Sequence, residues 1–231
     1  MLTNKYQVKH EDDQWLSVSD LMAGLMMVFL FISIALMRNA MNERDMVKDV
    51  AVAYQENQVA IYDALNSEFK DDLEKWDAEI DKENLTFTFN SPDTLFPEGK
   101  SVLQLKYKRI LNDFFPRYLR TVLKFDNSIS EIRIEGHTSS VWNRGTNMDN
   151  AYFKNMTLSQ GRTRSVLHYV YNLKKMRDRK HWIKSHVAAV GYSSSKPILV
   201  NGVEDQAASR RVTFRVMTNS DIQIRKILGA K

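Results

Sequence analysis

The sequence predicts an α+β protein in three parts: a single N-terminal transmembrane helix, a helical stem, and a C-terminal domain of β-α-β-α-β-β order. Three observations carry this reading. Residues 16–37 form an apolar run whose one charge is Asp20. Residues 43–84 contain neither Gly nor Pro and repeat their apolar positions at helical spacing. From Leu85 onward, alternating apolar–polar segments are interleaved with helical periods. The implied parts are an N-terminal segment (1–14), the membrane helix (15–38), an acidic helical stem (39–84), the C-terminal domain (85–218) and a tail (219–231).

Composition narrows the class. The 231 residues carry a net charge of +5, are 43% hydrophobic, and include only 8 Gly and 4 Pro. That excludes a disordered, collagen-like or low-complexity chain. With no Cys, a disulfide scaffold and any Cys-ligated zinc or iron–sulfur site are excluded too. The mild net charge is a cancellation. Residues 38–84 sum to −7, whereas residues 85–231 sum to +14. An acidic stem is therefore joined to a strongly basic domain.

The membrane helix comes first. Twenty-two residues from Leu16 span about 33 Å as a helix, enough to cross a bilayer core. The core of this run, "LMMVFLFISIALM", lacks the polar stripe that a surface helix of a soluble protein shows. A cleaved signal peptide fits poorly, because "HEDDQW" precedes the run and no A-x-A site closes it. Flanking charges do not orient the span, since Lys5 and Lys9 on one side oppose Arg38 and Arg44 on the other. Asp20 has two readings at this stage. With Ser19 it can N-cap a helix starting at Leu21. Alternatively it lies one turn inside a helix beginning near Trp15, facing a partner helix and able to take up and release protons.

The stem follows. Val47, Val50, Tyr54, Ile61, Leu65, Phe69, Leu73, Trp76 and Ile80 form a helical stripe, with Gln58 at the one seven-residue step. Such a stripe needs a cover. Pairing with a second copy is the favoured reading and packing on its own domain the alternative; the spacing does not hold a strict heptad.

In the C-terminal domain, residues 85–90 read as a strand and the segment from Pro92 to Gly99 as a loop. Residues 102–123 show helical periodicity, broken or bent near Pro116. "ISEIRIEG" is a second strand and residues 158–173 a second helix, followed by basic "KKMRDRK". "SHVAAVGY" and "RRVTFRV" are the last strands. About 147 residues suffice for a core.

Five segments, "TLFPEGKSVL", "IRIEGHT", "NMTLSQGRTRSVLHYV", "GYSSSKPI" and "ASRRVTFRV", resemble in order the OmpA-like peptidoglycan-binding domain. The family pattern Asn-x-x-Leu-Ser-x-x-Arg is met by Asn155, Leu158, Ser159 and Arg162. The closing Asn-Arg-Arg-Val is met by Arg210, Arg211 and Val212, with Ser209 in place of Asn. "WLSVSDLMAGLMMVFLFISIAL" is similar to the single span of MotB-type stator subunits, and the short chain resembles the stator-like B subunits of the Zorya anti-phage defence system.

The resemblance implies an α+β domain with helices on a mixed sheet, a cytoplasmic N-terminus, and a periplasmic C-terminal domain held at the bacterial inner membrane. It implies Asp20 as the ion-carrying carboxylate, and Thr138, Asn155, Leu158, Arg162 and Arg211 as peptidoglycan-binding residues. The implied partners are a second copy in a homodimer, a ZorA- or MotA-like ring-forming membrane subunit in 5:2 assembly, and peptidoglycan. The implied activity is a proton-driven motor that senses envelope damage and signals to effectors. A passive OmpA-like wall tether and a flagellar-type stator B subunit are the alternatives. Two departures stand out: Ser139 replaces the family Asp that pairs with the stem-peptide amine, and Lys154 replaces an aromatic. Asp149 is a candidate substitute for that Asp.

The residues suit the implied ligand. Arg162 offers a planar charged fork to a carboxylate, Asn155 can donate to and accept from a peptide backbone, and Leu158 packs the loop. Ordinary capping and core packing is the plainer reading. A basic domain suits a carboxylate-rich wall; "KKMRDRKHW" is the best patch for nucleic acid, yet it reads as a solvated helix end, and no direct nucleic-acid partner is expected. No cofactor is implied. His181 and His186 lack acidic neighbours, so no metal site is expected, and His137 reads as a buried, hydrogen-bonded loop residue. With no phosphate loop and no G-x-S-x-G elbow, the sequence does not read as an enzyme.

Overall fold

In the computed structural model the apolar run lies within one long helix, α1 (Asn4–Phe69). The structure describes residues 4–90 and 95–219; most of the expected tail (219–231), the first three residues and part of the loop after Pro92 lie outside them. The chain separates into two compact units, Met1–Val52 and Ala53–Lys231.

In the first unit, α1 exposes apolar side chains on every side: Leu21 is 75% exposed and Met37 66%. Among the described residues, one helix is long and apolar enough to cross a membrane, and this stretch provides the window. Asp20 lies well inside the helix, so it cannot act as the N-cap, which sits outside the first helical turn.

In the second unit the stripe finds a cover. Ile61, Leu65 and Phe69 are fully buried in the core of the C-terminal domain, so this part of the stem packs on its own domain. The Phe69 ring lies 5.4 Å from Phe87 and 5.3 Å from Phe114. Arg117 secures the helix end: its Nε donates to Glu68 Oε1 at 2.7 Å, its Nη2 to the Glu68 carbonyl at 2.7 Å, and its Nη1 to Asp72 at 2.9 Å. A cation on a terminal carbonyl complements the negative end of the helix dipole.

The stripe does not continue as helix to Ile80. After a short α2 (Leu73–Trp76), Asp77 takes a left-handed conformation and the chain enters β1 (Ala78–Asp81). Asp81 Oδ1 then accepts from the Glu83 and Asn84 amides, an Asx turn that reverses the chain into β2 (Thr86–Phe89). Ile80 pairs with Phe87 across this hairpin. Its place in a 3.6-residue stripe is coincident with a place in a period-two strand.

Helix α3 (Leu105–Val122) runs through Pro116 and buries Tyr107, Leu111, Phe114 and Tyr118. A 3-10 turn (Leu123–Ser128) leads into β3 (Ile129–His137). Helix α4 (Met148–Tyr171) starts ten residues before the periodic stretch at Leu158, capped by the Asn147 side chain accepting from the Asn150 amide at 2.8 Å. The basic segment forms a second 3-10 helix (Lys174–Arg179) and a short α5 (Lys180–His186). Strand β4 (Val187–Ser193), a hairpin of β5 (Leu199–Val200) and β6 (Val203–Glu204), α6 (Gln206–Ser209) and β7 (Val212–Thr218) complete the fold.

The main sheet is mixed, in the order β1-β2-β7-β3-β4. Strands β3 and β4 are parallel; the other neighbours are antiparallel. Beyond the four expected strands lie β1 and the β5–β6 hairpin. The hairpin turns at Asn201 and Gly202, both at positive φ, the dipeptide that a two-residue turn of this hand favours.

Candidate functional site

The loop after β3, the middle of α4, the loop before α3 and Arg210 line one cavity of about 410 Å³, and the seat of α4 on β3 and β4 sets its position. Two glycines bring them together. Gly136 on β3 and Gly191 on β4 face each other in register, and α4 crosses both at Ser159. A Cβ on Gly136 would lie 2.8 Å from the Ser159 carbonyl oxygen; one on Gly191 would lie 2.5 Å from the Gln160 amide nitrogen. Only residues without a side chain let the helix backbone approach so closely. Ser159 uses that contact, accepting from the Ser193 amide at 3.1 Å and donating to the Met156 carbonyl at 3.0 Å.

Just past Gly136 the register slips by one residue, so that His137 faces Ser193. Bulges of this kind re-aim side chains beside functional sites. Here the loop after β3 turns toward α4 and is held there by Asn155, whose Nδ2 donates to the Ser139 carbonyl at 3.0 Å and more weakly to Val141 at 3.4 Å. The Thr138 amide donates to the Ser193 carbonyl at 2.9 Å, while its buried Oγ1 finds no hydrogen-bond partner among the described residues. An unsatisfied buried hydroxyl costs about 1–3 kcal/mol. A ligand in the cavity that Thr138 lines can recover that cost.

Arg162 stands on the opposite wall. It is 5% exposed, donates from Nε to the Lys100 carbonyl at 3.1 Å, and stacks its guanidinium 5.0 Å from the Phe96 ring centre. It is thus gripped by the loop before α3, and Arg210 also lines the cavity. Arg162 and Arg210 share the lining with the apolar Leu158 and Trp142; a guanidinium is a planar, permanently charged fork of the kind that pairs with carboxylates.

Thr138, Asn155, Leu158 and Arg162, all expected from the sequence, therefore share one cavity. Asn155 spends its amide donor on the loop, making it a positioning residue. Arg211 is not in the lining: its guanidinium donates to the Ser209 and Lys196 carbonyls, at 3.2 and 3.3 Å, and fastens the approach to β7. Its neighbour Arg210 lines the cavity instead. Asp149 is exposed in the first turn of α4 and outside the lining, and the Ser139 hydroxyl donates to Val141 at 3.5 Å. Glu98 and Trp142 are lining residues that no motif singled out, and Arg210 takes the place in the closing motif expected for Arg211. The "FPEGK" stretch was in view as a segment, but nothing in its spacing pairs it with a residue 64 positions later.

Beneath the cavity, His137 ends β3 as a strand residue rather than a loop residue. It is 3% exposed, stacks on Tyr192 at 5.2 Å, and places Nε2 3.6 Å from Glu135 Oε2. Burial holds its imidazole below the ordinary value; Glu135 opposes that effect, while the positive charges of Arg211 and Lys196 add to it. Among the described residues, no group of three His, Cys, Asp or Glu is arranged to hold a metal.

Residues 95–211, which bracket this cavity, match the OmpA family. A relative, the Zorya protein ZorB of Escherichia coli (strain Crooks), is 56% identical over 219 residues, covering 94% of this chain and 93% of its own. The chain belongs to the ZorB family. Among solved structures, a MotB-like protein from Desulfovibrio vulgaris aligns at TM-score 0.49 and 21% identity, over 74% of this chain and 94% of that one. The periplasmic domain of Helicobacter pylori MotB aligns at TM-score 0.44 and 16% identity, over 66% and 89%. In this ZorB-family chain the OmpA match contains all the residues that line the cavity and stops at the threshold of β7.

Proposed function

We propose that this chain is the stator-like subunit of a proton-driven Zorya-type rotary motor in anti-phage defence, anchored to peptidoglycan and senses envelope damage that it relays to effectors. It crosses the inner membrane once, with its N-terminus cytoplasmic and its OmpA-family domain periplasmic. Two copies sit within a ring of ZorA- or MotA-like membrane subunits, in 5:2 assembly. Asp20 takes up and releases the proton, and the neutral and charged forms of its carboxyl alternate as the ring turns. Thr138, Leu158, Arg162 and Arg210 hold a carboxylate-bearing stem peptide of the wall, with Asn155 fixing the loop that carries Thr138.

The observation that carries this reading is Asp20, the one charged residue between Leu16 and Met37, inside a continuous helix, on the same chain as a wall-type pocket. A carboxylate inside a span is costly, which makes it a functional group by default and supports a role in ion movement. The test is Asp20→Asn in cells challenged with phage, alongside Arg162→Ala in a pull-down on purified sacculi. Asp20→Asn should leave the assembly intact and wall binding unchanged while abolishing protection. Arg162→Ala should release the domain from sacculi. Full protection with Asp20→Asn would sink the motor and leave a passive tether.

A further inference from the structure

Toward the opposite end of β3 from the wall-type pocket lies a second cavity, of about 500 Å³. Strand β3 is nine residues long, about 26 Å of extended chain, and the two cavities have no lining residue in common. The second is built by two elements: the end of α3 with the 3-10 turn that follows it, and the 3-10 helix Lys174–Arg179. Arg120 and Lys124 come from the first, Lys175 and Arg179 from the second. All four are exposed, and none forms an ion pair among the described residues. Among those residues no Asp or Glu joins the lining. Asp126, two positions past Lys124, accepts instead from Trp182 Nε1 at 2.7 Å. The lining also holds apolar Leu119, Leu123 and Met176. The dipole of α3 accounts for Arg120 in its last turn. It does not account for Lys175 and Arg179, which line the same cavity from a separate element.

We propose that this cavity binds an anionic phospholipid, with its phosphate paired to Arg120, Lys124, Lys175 and Arg179 and the start of its acyl chains on Leu119, Leu123 and Met176. This rests on the membrane-crossing reading above, which puts phospholipid within the chain's reach. The cavity has the size of a small-ligand site rather than of a groove for a folded segment. Four cations around one cavity match a compact anion that accepts charge-assisted hydrogen bonds on more than one oxygen. A nucleic-acid backbone could use those cations, but among the described residues no aromatic ring in the lining offers a base a surface to stack on. Free phosphate leaves the apolar side chains uncovered, and a purely apolar ligand leaves the cations without partners. A phospholipid engages both. On this assignment the domain holds wall peptide at one end and lipid at the other.

The experiment uses the full-length chain in detergent micelles and a phosphatidylglycerol analogue with a photoactivatable diazirine in its acyl chain. Peptide mass spectrometry then maps the label. Label within residues 16–37 reports lipid contact of the apolar run, and label within 116–124 or 174–179 reports the cavity, so the two readings fail separately. Unlabelled phosphatidylglycerol should displace the cavity label about tenfold more effectively than phosphatidylcholine, which has no net charge. Glycerol phosphate and inorganic phosphate at the same concentration should leave it in place. Arg120→Gln combined with Lys175→Gln, both at exposed positions, should cut cavity labelling about tenfold. The same variant should keep the label in 16–37 and its binding to sacculi. Equal displacement by phosphatidylcholine, or full displacement by inorganic phosphate, overturns the proposal. A labelled apolar run with an unlabelled cavity overturns it while leaving the membrane reading standing. Label in neither place counts against both.

Discussion

Two stretches of α1 use the same residue types to opposite ends. Residues 21–37, rich in Leu, Met, Phe and Ile, expose all of them, with Leu25 54% and Phe31 68% accessible. Ile61, Leu65 and Phe69 are at most 1% accessible. The first stretch is apolar around its full circumference and suits a solvent that is itself apolar. The second is apolar on one stripe, and a single protein surface covers it. Whether a leucine contributes to the folded core is thus decided by what faces it, and the width of the apolar face records which solvent the helix was built for.

The sharpest way to break that comparison is one substitution made twice. Leu65→Ala should lower the unfolding free energy of the C-terminal unit by about 3 kcal/mol, since a buried leucine leaves both lost transfer energy and a cavity. Leu25→Ala should leave it within about 0.5 kcal/mol. The urea midpoint of the full-length chain in detergent, followed by tryptophan fluorescence, reads both. Equal losses would mean that residues 21–37 are packed in protein after all.

A smaller effect separates close approach from plain burial. Gly191→Ala places a methyl group 2.5 Å from the Gln160 backbone nitrogen of α4, which cannot move aside as a side chain can, and should cost about 2 kcal/mol as an overpacking strain. It should also weaken sacculus binding, because α4 carries Arg162 and Asn155. A stable variant with normal wall binding would show that the strand ends do not set the pocket.

The smallest effect is a slope. His137 is held below its ordinary value by burial, so the unfolded chain takes up a proton that the folded chain refuses. Its contribution is complete above an unfolded value of about 6.5 and is lost as pH falls through the folded value. Thermal unfolding temperature should therefore decline between pH 7 and pH 5, and His137→Gln should flatten that decline. An unchanged slope would remove His137 as its source.

The parts of the fold legible in the sequence were those with a long period or a strong motif. The apolar run, α3, β3, β4 and β7 each announce themselves over seven or more residues. The missed elements are short. In β1, four residues alternate in a register that also fits the helical stripe, and the deciding feature is the turn chemistry of Asp77 and Asp81. The β5–β6 hairpin was written as Asn201-Gly202 between two apolar pairs, a signal that was present but brief. The early start of α4 was signalled by Asn147 as a cap, ahead of a first turn that is mostly polar.

The site divides in the same manner. Thr138, Asn155, Leu158 and Arg162 stand in recognisable motifs, and the fold gathers them. Which of Arg210 and Arg211 faces the cavity cannot be read from adjacent letters, because one residue at a strand entrance reverses the side-chain direction. Glu98 lies in the "TLFPEGKSVL" segment without being singled out by it; Arg162 brings its loop to the pocket through a carbonyl and a ring.

By itself the sequence determined the long apolar helix, the isolation of Asp20 as its one charge, the opposed charges of stem and domain, and the α+β order that follows. Those are properties of period, length and composition, which local chemistry settles. Only the tertiary structure decided that the stem's lower stripe belongs to the domain core, that a glycine pair seats α4 on the sheet, and that Glu98 and Arg162 share one cavity. Each depends on contacts between residues far apart in the chain, and such contacts are chosen by shape and burial once the elements pack.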